Sequence, residues 1–145
     1  MATDANGNQI FGRYNVGVHN VGSYQVSGIP WLSGSALIQD EEHKLEFPMV
    51  TKSITIIASG TFGTGHMIVS FVPTGSAASP VPNAHRYMTM NSSEDAYTFN
   101  VKAKEIYVSA TGNASGIGYE CVAELTNIPA ANMYTHTGSG LSDSA

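Results

Sequence analysis

The chain has 145 residues, of which 42% are hydrophobic and only 12% are charged, and its net charge is −5. This length fits one domain with a sizeable core, and the hydrophobic fraction excludes wholesale disorder. Six dispersed basic residues in an acidic chain exclude nucleic-acid binding, which needs clustered cations. No apolar run approaches the roughly 20 residues that span a bilayer, and no signal-peptide pattern is visible, so we expect synthesis in the cytoplasm and no membrane partner.

Residues 1–10 are polar and rich in Gly and Asn, which predicts a flexible N-terminal arm. From 11 to 134, short apolar and β-branched segments alternate with Gly, Ser, Pro and Asn, as in an all-β domain with frequent turns. The predicted strands are 12–18, 23–26, 37–39, 44–48, 52–58, 66–72, 86–90, 96–101, 105–110 and 118–125. Period-two alternation in 52–58 and 105–110 indicates antiparallel strands with one buried face. We therefore predict an antiparallel β-sandwich of the jelly-roll kind, with flexible arms at both ends.

Two segments of the chain, 46–60 and 98–112, resemble each other and align without gaps. The identical positions are Phe47/Phe99, Lys52/Lys104, Ile54/Ile106, Ala58/Ala110 and Gly60/Gly112. Each segment has the pattern strand, polar break, strand, which suits the two halves of a jelly roll. Shared β patterning explains a match of this length as well as duplication does.

Three further segments interrupt or follow the predicted strands. Pro129 begins a weakly helical stretch, 128–134, that predicts a single turn. The loop 73–83 is rich in Pro, Ser and Ala, and either becomes ordered against a neighbour or stays mobile. Residues 135–145 predict a flexible C-terminal tail.

The sequence contains no recognisable catalytic or metal-binding motif. Its five histidines do not fall at metal-ligand spacings, and its glycine and serine runs match neither a phosphate loop nor a nucleophile elbow. Cys121 lies in an apolar run and is interpreted as a buried structural thiol. We therefore predict a protein that is not an enzyme and has no cofactor and no metal.

Large aromatic side chains and prolines are the candidates for an interface with another macromolecule. Trp31, which follows Pro30 at a predicted bend, is the best single candidate. The other candidates are Tyr24, Tyr134, Pro80 and Pro82. Core packing and strand propensity explain the aromatic residues as well. A carbohydrate-binding surface, on which the rings stack against sugars, is the alternative.

Several short phrases resemble small structural proteins of tailed phages, especially phages that infect marine cyanobacteria. They lie at 20–34 (NVGSYQVSGIPWLSG), 45–48 (LEFP), 52–58, 100–109 (NVKAKEIYVS) and 123–129 (AELTNIP), within a similarity that extends from about Phe11 to Tyr134. The resemblance implies a virion protein made in the host cytoplasm, and plausibly a capsid decoration or cement protein on the capsid exterior. Such proteins are commonly β-sandwiches or jelly rolls.

The resemblance also implies partners. These are the major capsid protein or other virion subunits, together with further copies of the chain, and a homotrimer is favoured because such proteins often sit at symmetry positions of the lattice. The alternatives are a carbohydrate-binding module for host recognition and a tail or fibre component. An enzyme such as a hydrolase ranks last, since no pair of nucleophile and base is visible.

Overall fold

The computed structural model describes residues 17–25, 28–73, 87–112, 116–137 and 141–142. The predicted arm 1–10 and most of the loop 73–83 lie outside these residues. The described elements are the single-turn helix α1 (Gly22–Gln25) and the strands β1 (Ile29–Ala36), β2 (Glu42–Glu46), β3 (Met49–Gly60), β4 (His66–Ser70), β5 (Met88–Met90), β6 (Ala96–Phe99), β7 (Glu105–Thr111), β8 (Ile117–Pro129), β9 (His136–Thr137) and β10 (Leu141–Ser142), with a 3₁₀ turn at Ala130–Asn132.

Eight of these strands form two antiparallel four-stranded sheets. The first sheet has the order β1-β8-β3-β6, and the second has the order β2-β7-β4-β5. Their inner faces share one apolar core, to which β3 contributes Ile54 and Ile56 and β4 contributes Met67 and Val69, each at most 1% exposed. The predicted all-β antiparallel sandwich is thus confirmed. Cys121 on β8 is also fully buried in this core, as predicted.

The strand order is that of a long antiparallel hairpin, of four strand pairs, folded over so that its pairs are divided between the two sheets. The first strand pairs with the eighth, the second with the seventh, the third with the sixth and the fourth with the fifth, and successive pairs lie in alternate sheets. Adding four to the number of each strand in the first sheet, with the count returning to one after eight, gives 5-4-7-2, which is the second sheet read backwards. The order therefore contains an internal two-fold relation.

The two similar segments occupy places that this relation makes equivalent. Segment 46–60 contains β3 and segment 98–112 contains β7. Ile54 and Ile106 are both fully buried in the core. Gly60 and Gly112, at the ends of the two segments, both have positive φ angles, of 92° and 76°. The sequence similarity thus corresponds to a similarity in structure.

The strand predicted over 23–26 is wrong, because 22–25 form the single helical turn α1. The side chain of Asn20 accepts a hydrogen bond from the Gly22 N–H at 2.9 Å, and its carbonyl accepts one from the Ser23 N–H at 3.1 Å. Asn satisfies free amides at the start of a helical turn in this way. The Tyr24 hydroxyl then fixes the turn by donating to the Val18 carbonyl.

The strand predicted over 37–39 is also wrong, because the strand in this region ends at Ala36. Pro30 and Gly34 resemble turn residues, yet both lie inside β1. An edge strand tolerates proline where its nitrogen points away from the neighbouring strand. Leu37 follows the strand and is buried in the core.

At the other end of the sandwich, the single turn predicted after Pro129 is present as the 3₁₀ turn. In the segment expected to be a flexible tail, β9 pairs with β10. The His136 ring there lies edge-on to Phe71 and Tyr134, with centroid distances of 6.2 and 5.6 Å. The first residues of this segment are therefore in contact with the domain.

Candidate functional site

The two sheets end in four edge strands, and three of them carry features that discourage pairing with another chain. In the first sheet β6 has four residues, and in the second sheet β5 has three. The second sheet's other edge, β2, is charged: Lys44 lies 2.6 Å from Glu46 and 2.9 Å from Glu105. Short strands and charged side chains are the usual protection of a sheet edge.

The fourth edge, β1, has none of these features, and we call its residues Ile29–Ala36 the β1 edge. It is eight residues long and contains no charged side chain. Its eight residues pair with β8 in one unbroken register, so no bulge bends it. Within the described part of the chain it has a strand on one side only.

The hydrogen-bond pattern identifies which backbone groups point outward. The Leu37 N–H donates to the Ile117 carbonyl directly opposite, at 2.8 Å. Bonded and non-bonded pairs alternate along an antiparallel ladder. Residues 31, 33 and 35 therefore bond to β8, whereas Leu32, Gly34 and Ala36 direct their N–H and C=O groups to the other side, where the Ala36 carbonyl also accepts a hydrogen bond from the Ser35 hydroxyl at 3.1 Å. Pro30 falls in the outward set, so its missing N–H breaks no bond within the sheet.

The side chains of β1 alternate between the core and solvent. The Trp31 ring is half-buried and packs edge-on against Phe47 at 4.9 Å between centroids. Pro30 is exposed, and Leu32 is 73% exposed. Of the predicted interface pair, Pro30 thus lies on the surface, while Trp31 joins the core and the exposed apolar group is its neighbour Leu32.

The outer face of the first sheet continues this surface with few charges. Leu32 lies opposite Val122, which lies opposite Thr55, which in turn hydrogen-bonds Thr98 across the strands at 3.0 Å. The rows on either side contain Glu120 and Glu124 as their only charged residues. The outer face of the second sheet differs in being covered: Ile68 and Ser109 on that face are only 1% and 2% exposed.

Tyr24 and Tyr134, two further predicted interface residues, are brought together at one end of the sandwich. Both pack against a small second core. Burial, and secondarily the charge of Tyr134, raises the pKa of Tyr24. Lys102 lies 4.9 Å from the centre of the Tyr24 ring and donates to the Val18 carbonyl. These contacts attach α1 and the 3₁₀ turn to the sandwich. Pro80 and Pro82 lie outside the described residues.

Three histidines of the described chain, His43, His66 and His136, make structural contacts, whereas His19 is exposed. His43 lies between the Tyr119 hydroxyl, 3.2 Å away, and the Glu41 carboxylate. Burial raises the pKa of Tyr119, which is only 4% exposed. His66 contacts the Thr111 hydroxyl at 3.1 Å. Among the described residues, no three His, Cys, Asp or Glu side chains converge as metal ligands.

A cleft of about 480 Å³ lies beside the β2 edge and is lined by Lys44, Glu46, Lys104 and Glu105 among others. Its ionic groups have partners: Lys44 contacts both carboxylates, and Lys104 donates to the Thr135 hydroxyl at 2.9 Å. Burial opposes ionisation of Glu105, but hydrogen bonds from Lys44 and Tyr107 outweigh it and lower the pKa of this carboxyl. The side chains that line the cleft therefore make contacts that stabilise the fold. The β1 edge is the better candidate site.

Sequence reasoning named aromatic residues and prolines as interface candidates, Trp31 and Pro30 of β1 among them, and did not name Leu32, Gly34 and Ala36. The available signal was the uncharged run 29–39. No helix of the described residues has the length and apolar character that crossing a membrane requires. Comparison of the chain with protein-family models and with curated protein sequences returned no match.

Proposed function

We propose that this chain is a non-enzymatic structural protein of a phage virion, and specifically a decoration or cement protein that binds the outside of the head lattice. The observation that carries the proposal is the β1 edge, an uncharged strand with outward-pointing backbone groups and an exposed Leu32. A regular sheet edge of this kind is a surface for another polypeptide, since main-chain hydrogen bonds supply the affinity.

The strand order supports the proposal. We infer from the two interleaved sheets and their internal two-fold relation that the sandwich is a jelly roll, an architecture of viral capsid and lectin domains. The surface favours the first of these two classes. A glycan platform needs exposed aromatic rings, and every Trp, Tyr and Phe in the described residues is buried or half-buried.

The outer face of the first sheet suits a broad contact with capsid subunits. Its rows consist of hydroxyl, small and apolar side chains with two glutamates, so little charge would lose its hydration in a complex. A subunit that touches adjacent capsomers gains effective concentration at its second contact. Several weak contacts then act together and stiffen the shell.

The proposal is tested by sedimentation with purified virion parts. The labelled chain is mixed with DNA-free heads, and separately with tails, from tailed phages of marine cyanobacteria, and is then centrifuged through sucrose. We expect saturable binding to heads with a fixed number of copies per head. Because the proposed contact contains few charges, this binding persists in high salt, which screens ionic contacts.

Three results would overturn the proposal. Binding to tails alone would make the chain a tail or fibre component. Absence of binding to either part would remove the virion assignment. Binding to a glycan array that is lost in Trp31→Ala, with no binding to heads, would replace it by the carbohydrate-binding alternative.

A further inference from the structure

We propose that the β1 edge pairs with the β1 edge of a second copy, antiparallel about a two-fold axis at Gly34, and joins two first sheets into one eight-stranded sheet. The inference shares with the proposed function only the use of β1 as a binding surface: it assigns this edge to a second copy and leaves the outer face of the first sheet for the contact with capsid subunits. It concerns the purified chain, so its failure is separate from any failure to bind heads.

The first argument is that the partner must itself present a free strand edge. Leu32, Gly34 and Ala36 each direct an N–H and a C=O outward, in the spacing that an antiparallel edge requires. The other edges of the described chain are short or charged. The β1 edge of a second copy is the edge of this chain that offers the same length and the same lack of charge.

The second argument is the register. With Gly34 opposite its copy, Leu32 of each chain lies opposite Ala36 of the other, and about six hydrogen bonds form, two for each bonded pair. Pro30 stays outside the paired segment, so its missing N–H leaves no gap. On the outer face each large Leu32 side chain meets a small Ala36, and the two Gly34 residues bring no side chains into contact.

The third argument is charge. The chain has a net charge of −5, so two copies repel one another through most contacts. If two copies pair through β1, neither of the two paired strands contains a charged residue. The nearest carboxylates in these rows, Glu120 and Glu124, lie on β8, one strand further from the axis. The contact therefore avoids the main obstacle to self-association of this chain.

The stoichiometry and strength of the pair also follow. An isologous strand pair closes on itself as a dimer. A trimer built through β1 would have to pair it with a different edge of the neighbour, and the other described edges are short or charged. One strand pair buries much less than the roughly 800 Å² per partner of a standard interface. Exposed Ile29 and Ile38 flank it and add apolar area. We expect a dimer that dissociates on dilution.

The test is the solution mass by light scattering, together with amide hydrogen exchange, over a wide range of concentration. At high concentration we expect twice the 15.3 kDa of the chain, with slowed exchange of the Leu32, Gly34 and Ala36 amides. Dilution should restore the single mass and fast exchange at these amides. A trimer, or a monomer at every concentration, would refute the pairing. Slow exchange in a monomer would mean that another part of the same chain covers β1.

Two pairs of variants locate the contact. Ala36→Pro removes the outward N–H and places a ring on the free side, so it should weaken dimerisation at least about ten-fold. Its control is Ala96→Pro, which changes the equivalent outward position on β6, the other edge of the same sheet. Leu32→Lys should also weaken the dimer, whereas Val21→Lys should not, since Val21 is equally exposed, at 69% against 73%, but lies off the sheet.

Circular dichroism confirms that each variant is folded. A dimer that survives both Ala36→Pro and Leu32→Lys, or one that is lost equally in the two controls, would contradict the proposed register.

Discussion

The Trp31 ring meets the Phe47 ring edge-on, with the centroids 4.9 Å apart and the planes inclined at 78°. Trp31 belongs to the edge strand of the first sheet, and Phe47 lies between β2 of the second sheet and β3 of the first. The pair therefore joins the edge strand of the first sheet to the segment that connects the two sheets. Trp31, a residue of the β1 edge, thus packs against the core through the inner face of its strand.

The contact predicts that Trp31→Ala lowers the free energy of unfolding by about 2–3 kcal/mol, below the usual cost for a fully buried aromatic because the ring is half-buried. Leu32→Ala, one residue along and on the solvent face, should change it by less than about 0.5 kcal/mol. Urea unfolding followed by circular dichroism measures both. Equal effects of the two substitutions would mean that Trp31 does not contribute to the core.

A second prediction concerns Thr51, which is fully buried on β3. Its hydroxyl donates to the Val101 carbonyl at 2.8 Å and accepts from the Ala103 N–H at 3.0 Å. Thr51→Val keeps the shape but deprives the buried Ala103 N–H and the half-buried Val101 carbonyl of this partner, so it should cost about 2 kcal/mol. Thr55→Val on the solvent-facing side of β3 is the control and should cost less than about 0.5 kcal/mol. A neutral Thr51→Val would refute this role.

A third prediction concerns Gly60, the last residue of β3. Its φ is +92°, and a Cβ there would lie 1.9 Å from the Gly116 carbonyl oxygen. Gly116 has nearly the same φ, +93°, but open space at its Cβ position. Gly116→Ala should therefore cost only the backbone strain of about 1 kcal/mol, whereas Gly60→Ala should cost about 3 kcal/mol or more. Thermal unfolding of the two variants separates the steric clash from the strain. Similar losses would exclude the clash.

The fold was predictable where a strand alternates between buried and more exposed residues, as β3 does. In 52–58, Ile54 and Ile56 define one buried face, and the strand extends from there to 49–60. The single buried face predicted for 105–110 is wrong, because β7 is buried on both faces between two neighbouring strands of its sheet. The similarity of segments 46–60 and 98–112 was detectable in the sequence because a buried isoleucine and a positive-φ glycine recur at matching positions in both. Local patterns did not indicate strand order, because pairings such as that of β1 with β8 join residues about ninety positions apart.

The candidate site was less predictable. Pro30 and Gly34 are turn residues by propensity, and only pairing with β8 makes them part of a strand. Trp31 attracted the interface prediction because large aromatics dominate interfaces, but side chains alternate along a strand, so the adjacent Leu32 received the exposed position. The α1 turn was missed because capping by Asn20 outweighs the β propensity of the segment that follows it.

The last prediction concerns the acid stability of the network around Glu105. This carboxylate is 14% exposed, lies 2.9 Å from the Lys44 ammonium and accepts a hydrogen bond from the Tyr107 hydroxyl at 3.1 Å. Burial alone would raise the pKa of Glu105, but the two hydrogen bonds reverse the direction and hold it below the usual 4.5. A carboxyl whose pKa is lower in the folded than in the unfolded protein stabilises the fold above its unfolded pKa. That stabilisation is lost as the pH falls through the folded pKa.

Glu105→Gln should therefore lower the free energy of unfolding by about 1 kcal/mol at neutral pH and by progressively less between about pH 5 and pH 3. Tyr107→Phe keeps the lysine contact and removes one hydrogen bond, so it should show the same trend at a smaller amplitude. Urea unfolding at several pH values gives both curves. Parallel pH profiles for Glu105→Gln and the unsubstituted chain would mean that this carboxyl has the same pKa in the folded and unfolded states. The network would then contribute nothing to the acid sensitivity of the protein.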